Sequence, residues 1–369
     1  MWGALIWKGT LDMFGRRDIL AAGAAVVLAK PVMAAAADNA APAPICDDGA
    51  PQQAWNDGLA HPIPYTPPLG AGKARALVLG GGGAYLASWM VGYFNALKSK
   101  GVDLSTTDIA VGTSAGSLVG TSLLAGRLWR LSTELDILSE FPFLFAKMVP
   151  TAAPNESQAR ARRIAVEATD ASPATIRRIG RAAMAARNPA GPDRYPGTVE
   201  HLVGVEKWPS PKMHITANDC YTGERLVVSQ SDGIDANEAC AASSSLPGSM
   251  GPTWLKDRLC MDGGICQTST HCDVVAGVSR ALVISLSDGG PEAVQQGLRT
   301  SGMPNTLQQE IRDLQSQGTK TILKVVGLLP GVTVVDSIMD PKWIGPCLKN
   351  GHERGLADAQ EMSAFWNAA

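Results

Sequence analysis

Gly112-Thr113-Ser114-Ala115-Gly116 sets a serine at the centre of a turn between two glycines. A strand that turns sharply into a helix leaves no room for side chains on either flank. Gly112 and Gly116 therefore permit a turn that lifts Ser114 beyond a sheet, near the positive end of the helix that follows. A serine so placed is suited to nucleophilic attack on an acyl group. Upstream, Gly80-Gly81-Gly82-Gly83 makes a loop without side chains, whose backbone amides can converge on one anion. It is not a nucleotide loop. The G-x-x-x-x-G-K-[ST] pattern is absent, and Tyr85 and Leu86 stand where a dinucleotide fingerprint needs its last glycine. The remaining use is an oxyanion hole built from the amides of Gly81, Gly82 and Gly83.

A serine nucleophile needs a base. Of five histidines, His352 is the best placed for a triad in the order Ser, Asp, His, although Asn350-Gly351-His352-Glu353 reads as a helix boundary. The other candidates are aspartates in glycine turns, Met261-Asp262-Gly263-Gly264 and Ser287-Asp288-Gly289-Gly290; the second closes a strand and suits a plain turn. Cys260, Cys266, His271 and Cys272 are close in sequence, but their spacing matches no structural zinc pattern. Core or disulfide cysteines are the simpler reading.

The elements that must position these residues follow from hydropathy. Arg75 to Leu79 is a short apolar run before the glycine loop. Leu86, Trp89, Met90, Tyr93, Phe94 and Leu97 then recur at helical spacing, up to a stop at Lys98-Ser99-Lys100-Gly101. Asp108 to Val111 reads as a second strand, and Leu118 to Leu124 as a second helix. Strand, helix, strand, helix predicts a parallel sheet covered by helices. Residues 126–190 read as helical, with Ser172-Pro173 a cap and first helical residue. Their arginines, from Arg160 to Arg187, can meet anionic lipid head groups, but a solvated helix face is the commoner arrangement. Strand signals return at Met213–Ala217, Leu226–Val228 and Ala281–Leu286, and residues 291–369 read mostly as helix.

Ahead of this core, Arg16-Arg17 precedes the apolar run Ile19–Leu28 and a small-residue stretch ending at Ala37. That is the layout of a signal peptide of twin-arginine type, with Met1 or Met13 as its start, and it predicts a periplasmic or secreted protein. An uncleaved anchor helix is the alternative. Residues 38–72, rich in Ala and Pro, read as a linker. The mature part would keep seven cysteines, an odd number whose pairing sequence does not give. A chain of 369 residues, 45% hydrophobic and 18% charged with a net charge of −2, is globular and carries no polybasic surface for nucleic acid.

Residues Leu77–Ala125 and Met213 to about Leu286 together resemble the patatin-like phospholipase family. Its blocks are a glycine-rich oxyanion loop, a G-x-S-x-G elbow and a D-G-[GA] aspartate, in that order. Ala241-Ala242-Ser243-Ser244-Ser245-Leu246-Pro247-Gly248 resembles the A-x-x-S-x-x-P-G block upstream of the family's aspartate, so the resemblance selects Asp262 over Asp288. Met339-Asp340-Pro341 to Trp366 is similar to a bacterial subgroup. One departure stands out: the family loop reads G-G-G-x-[KR]-G, and Tyr85-Leu86 replaces its cation.

The resemblance implies a three-layer α/β fold with a mostly parallel central sheet. In it, 73–290 would be the acyl hydrolase core with a helical insertion at 126–205, and 291–369 a helical C-terminal part. It also implies a serine hydrolase of lipid carboxylic esters that uses a Ser114–Asp262 dyad and an acyl-enzyme. No cofactor and no metal would be needed, and the partner would be a lipid or ester substrate met at a membrane surface. Competing readings are an α/β-hydrolase triad through His352 and an inactive lipid-binding module.

Overall fold

The computed structural model describes residues 68–149, 154–186 and 194–368. The predicted leader at 1–37, most of the linker and Cys46 lie outside the described residues. All described residues fall in one compact unit, 55–369.

The sheet starts from its centre. Arg75–Leu79 forms β1, and its buried apolar run meets the glycine loop. Gly83–Ser99 forms α1, apolar almost all round and therefore buried almost all round. Ile109–Gly112 forms β2, which pairs in parallel with β1 so that Leu79 lies opposite Gly112. Ala115–Leu124 forms α2 directly after Ser114. The predicted helical insertion follows as α3 (Leu128–Glu140), α4 (Pro142–Met148), α5 (Glu156–Val166), α6 (Pro173–Ala185) and α7 (Arg194–Val203). Asn155 and Gln158 form a capping box that starts α5, and Ser172 caps α6 with Pro173 in its first turn, as its sequence predicts. Arg160, Arg163, Arg178 and Arg181 are exposed on α5 and α6, the solvated faces expected.

Met213–Asp219 forms β3, parallel to β2, and Arg225–Val228 forms β4, antiparallel to β3. Ala236–Ser243 forms α8. The hairpin of β5 (Thr253–Leu255) and β6 (Arg258–Asp262), which sequence periodicity did not reveal, joins the far side of β3. Arg280–Ser285 forms β7 beside β1. The C-terminal part is not all helix. After α9 (Leu307–Ser316), Lys320–Val325 forms β8, parallel to β7 from Arg280↔Lys320 to Ser285↔Val325. A sheet ending at β7 would leave a fully buried strand with a bare edge, and the half-exposed run Thr321-Ile322-Leu323 covers it. Ile344–Trp366 forms α10.

The strand order is β5-β6-β3-β2-β1-β7-β8, with β4 also on β3. Helices cover both faces: α1, α2, α3 and α10 share the larger core with Leu77, Leu79, Met213 and Ile215, whereas α9 packs with Ala76, Val78, Ile109 and Val283 on the other. This is a three-layer α/β fold with a mostly parallel sheet. Along α1, Trp89 stacks on Tyr93 at 4.6 Å, Trp89 donates to Asn350 at 2.9 Å, and Tyr93 donates to Asp358 at 2.9 Å, so α10 is bound to α1 by polar as well as apolar contacts. Among the described residues no helix is long and apolar enough to cross a membrane.

Candidate active site

Chain direction reverses its course across the sheet at β1, with β2 on one side and β7 on the other. The carboxyl ends of strands at such a point leave a crevice. Because Leu79 and Gly112 are in register, the glycine loop and the Ser114 turn leave the sheet side by side. A Cβ on Gly81 would stand 3.2 Å from Cβ of Ser114, and one on Gly116 only 2.0 Å from the Leu79 carbonyl oxygen. No side chain fits there. Ser114 itself is held at φ 51 and ψ −118, strained for any residue with a Cβ. Its amide donates to the Ser243 hydroxyl at 2.8 Å, and Thr113 and Thr216 share a hydrogen bond of 2.6 Å that fixes the turn to β3.

Asp262 arrives from the other side. The last residue of β6, it lies opposite Ala217 of β3, which brings it to the level where β2 ends. Its amide donates to the Ser245 carbonyl at 3.0 Å, and Asn218 donates to its carbonyl at 2.8 Å. Gly264 donates its amide to Asp262 Oδ1 at 2.7 Å, whereas Oδ2, also buried, has no full hydrogen bond from the protein. Burial pushes the carboxyl up to about 7. The Gly264 amide and the nearby Ser114 hydroxyl pull the other way, the hydroxyl stabilising the carboxylate without meeting the distance and angle of a full bond. Contacts of this kind are often slack before substrate binds.

Ser114, Asp262, Gly81 and Gly82 line one small pocket of about 40 Å³, with Leu246, Arg299 and Ile338. The structure thus brings together the serine, the aspartate and part of the glycine loop. The loop amides are not equivalent. Gly81 donates to the Ser269 carbonyl at 3.3 Å, whereas those of Gly82 and Gly83 donate to no group among the described residues. The engaged Gly81 amide departs from the three-donor expectation. Gly83 has φ 59, and a Cβ there would sit 2.7 Å from the Ile338 carbonyl oxygen. That carbonyl accepts from the Tyr85 amide at 3.0 Å, so the segment before α10 caps the glycine loop.

Tyr85 takes the place of a cation without replacing it. It is fully buried, donates to the Gly327 carbonyl at 3.1 Å, and accepts from the Leu329 amide at 2.9 Å. It ties the loop after β8 to α1 and faces the core. Arg299, which sequence reasoning did not single out, brings a guanidinium to the pocket instead.

His271, read from sequence as a core position, is one. Buried beneath the aspartate turn, its Nδ1 lies 3.2 Å from Arg225 Nη1 and its Nε2 lies 3.0 Å from the Gly263 carbonyl oxygen. An arginine only donates, so Nδ1 accepts and Nε2 carries the proton given to Gly263. Arg225 is itself held by Asp273 at 2.8 and 2.7 Å. Burial, then the Arg225 charge, pushes the imidazole down to about 4 and keeps it neutral. Among the described residues no three His, Cys, Asp or Glu side chains could hold a metal ion. The six described cysteines are buried and form no disulfide among the described residues.

The remaining sequence candidates lie elsewhere. Asp288 is exposed in its own turn, where Oδ1 accepts from Gly290. His352 is not at a helix boundary: it is exposed within α10, its backbone beside Gly92. Gly92 is nine residues along α1 from Gly83, or roughly 13 Å from the glycine loop at 1.5 Å per residue.

A model of the patatin-like phospholipase family matches residues 77–271. Among solved structures the chain is similar to VipD from Legionella pneumophila, at 14% identity and TM-score 0.41, covering 80% of this chain and 68% of that one. It is also similar to the type III effector protein ExoU, at 16% identity and TM-score 0.33, covering 79% of this chain but only 54% of that one. No curated protein matches in sequence. The family match spans more than half of the chain and holds the glycine loop, the serine elbow and the aspartate turn, and the chain belongs to the patatin-like phospholipase family.

Proposed function

We propose that the protein is a serine acyl hydrolase that cleaves carboxylic ester bonds of lipids through Ser114 and Asp262. Family membership supports a lipid acyl hydrolase in general. The observation that carries the dyad is one pocket lined by an elbow serine and a buried carboxyl held near neutrality, with no imidazole on the same lining. In its ionised form Asp262 takes the Ser114 proton as Oγ attacks the acyl carbonyl. Charge developing on the carbonyl oxygen is met by the amides of Gly82 and Gly83, at the positive end of α1. Collapse expels the alcohol, which takes the proton from Asp262. Water then releases the acid from Ser114 by the same steps in reverse roles.

Export by the predicted leader, and contact with a membrane surface, belong to the same proposal. Trp129, Phe141 and Phe143 are 67%, 51% and 59% exposed on and between α3 and α4, as residues that dip into a lipid interface would be. Ser114→Ala should abolish hydrolysis of short p-nitrophenyl esters and labelling by a fluorophosphonate while circular dichroism stays unchanged. Retained turnover in that variant would overturn the mechanism, and an unlabelled wild-type protein would favour a binding module without turnover.

A further inference from the structure

Beyond the serine pocket lies a larger cavity of about 640 Å³, and the two share Leu246, Arg299, Thr300 and Ile338 on their linings. Two arginines reach the larger cavity. Arg162, on α5, donates Nε to the Gly248 carbonyl at 2.9 Å; Arg299, after β7, donates Nη1 to the Met303 carbonyl at 2.9 Å. Each guanidinium is thereby oriented by a backbone carbonyl, yet neither forms an ion pair with a carboxylate among the described residues. Asp336 and Asp340, also on the lining, are both engaged by Lys342, at 3.2 and 3.0 Å. Burial without a carboxylate lowers the proton affinity of both arginines, as expected of cations held short of a counter-charge. The remaining lining includes Ile265, Val294 and Met339, apolar surface suited to hydrocarbon.

We propose that Arg299 and Arg162 form an anion subsite for the phosphodiester of a glycerophospholipid whose acyl ester is presented to Ser114. The inference rests on the acyl hydrolase reading and deepens it. A fatty acid alone does not satisfy the geometry, because its carboxyl carbon is the atom that must sit at Ser114. A second anion, displaced toward the outer cavity, is the head-group phosphate. Guanidinium forks match phosphate oxygens in geometry and charge. Arg299, the only one of the two on both linings, holds the phosphate nearer the reacting ester, and Arg162 holds its outer side.

The test compares a dihexanoyl glycerophosphodiester with its phosphate-free diacylglycerol counterpart. In wild-type enzyme kcat/KM should favour the phosphate-bearing substrate, and Arg299→Gln or Arg162→Gln should reduce that preference by about 10- to 100-fold. An unchanged ratio overturns the subsite, whatever happens to the absolute rates, because loss of a merely structural contact would slow both substrates alike. Arg162 is only partly buried, at the surface of α5, so its variant remains informative if Arg299→Gln does not fold. Binding of the same two lipids to Ser114→Ala protein, followed by calorimetry, needs no turnover and separates failure of the subsite from failure of the hydrolase reading. A phosphate-dependent gain in affinity that disappears in the arginine variants supports the head group as ligand. Displacement by inorganic phosphate at the lipid's own concentration would assign the site to free phosphate and overturn it.

Discussion

Gly264 donates to one oxygen of the Asp262 carboxylate at 2.7 Å while burial holds that carboxyl near 7. One oxygen is therefore anchored and the other has no full hydrogen bond from the protein, in a residue that lines the pocket shared with Ser114. A general base needs both properties: a fixed direction, and a proton affinity close to the pH at which it works.

The first consequence is a pH profile. If Asp262 is the base, as proposed, kcat/KM for ester hydrolysis should rise tenfold per pH unit below about 7 and level off above it. Acid release measured across this range reads the midpoint directly. A profile flat down to about 5 would place the base elsewhere.

Asp262 should also weaken the fold when ionised. Its folded pKa of about 7 lies above the ordinary carboxylate value, so folding binds its proton more tightly than the unfolded chain does. The stability this contributes is present at low pH and lost as pH rises through about 7. Asp262→Asn should therefore abolish hydrolysis yet raise stability near pH 8 by about 1–3 kcal/mol, with the gain closing toward about pH 4. Thermal melts of the two proteins across that range provide the comparison.

His271 titrates with the opposite consequence. Its folded pKa of about 4 lies below the ordinary histidine value, so its contribution to stability is intact above about 6.5 and falls as pH drops toward 4. In wild-type protein the rising contribution of Asp262 offsets that loss. In Asp262→Asn the offset is gone, and the melting temperature should fall more steeply with acid than in wild type. A melting temperature of Asp262→Asn that does not fall between about pH 6.5 and 4 would count against a buried neutral His271.

Strain at Ser114 supplies a separate test. At φ 51 a Cβ costs on the order of 1–3 kcal/mol, which glycine avoids at some expense in chain entropy. Both Ser114→Ala and Ser114→Gly should be inactive, and the glycine variant should be the more stable by about 1 kcal/mol in urea unfolding. Equal stability would mean the turn relaxes in solution.

His352→Ala should leave ester hydrolysis unchanged in steady-state assays, since this exposed side chain lies within α10 and well along α1 from the glycine loop. Complete loss would restore the triad reading.

The serine elbow, the glycine loop and the strand and helix around each were legible in sequence because each rests on local rules: a glycine where a Cβ would clash, and apolar spacing that matches its element. Asp262 was legible as one of two aspartates in glycine turns and was chosen over Asp288 through the A-x-x-S-x-x-P-G resemblance; in the structure Ser243 and Ser245, flanking that block's Ser244, hold the Ser114 amide and receive the Asp262 amide. Those bonds join segments far apart in the chain and leave no periodic trace. Lys320–Val325 falls in a stretch that reads mostly as helix, because a half-solvated edge strand carries no clear alternation and its identity is set by pairing with β7. Arg299 and Arg162 became visible only once α5 and the chain after β7 had been placed around one cavity.

A Cβ on Gly351 would stand 2.1 Å from the Trp89 carbonyl oxygen, so α10 lies against α1 with almost nothing between them. Ile344–Trp366 is the final described helix to leave the ribosome, and the Ile338 carbonyl that anchors the glycine loop emerges just before it. Before that segment emerges the chain already carries Ser114 and Asp262, but α1 lacks the flank that α10 covers and the Tyr85 amide lacks its acceptor. The glycine loop therefore reaches its described form only when the segment around Ile338 and the helix after it have folded back onto α1.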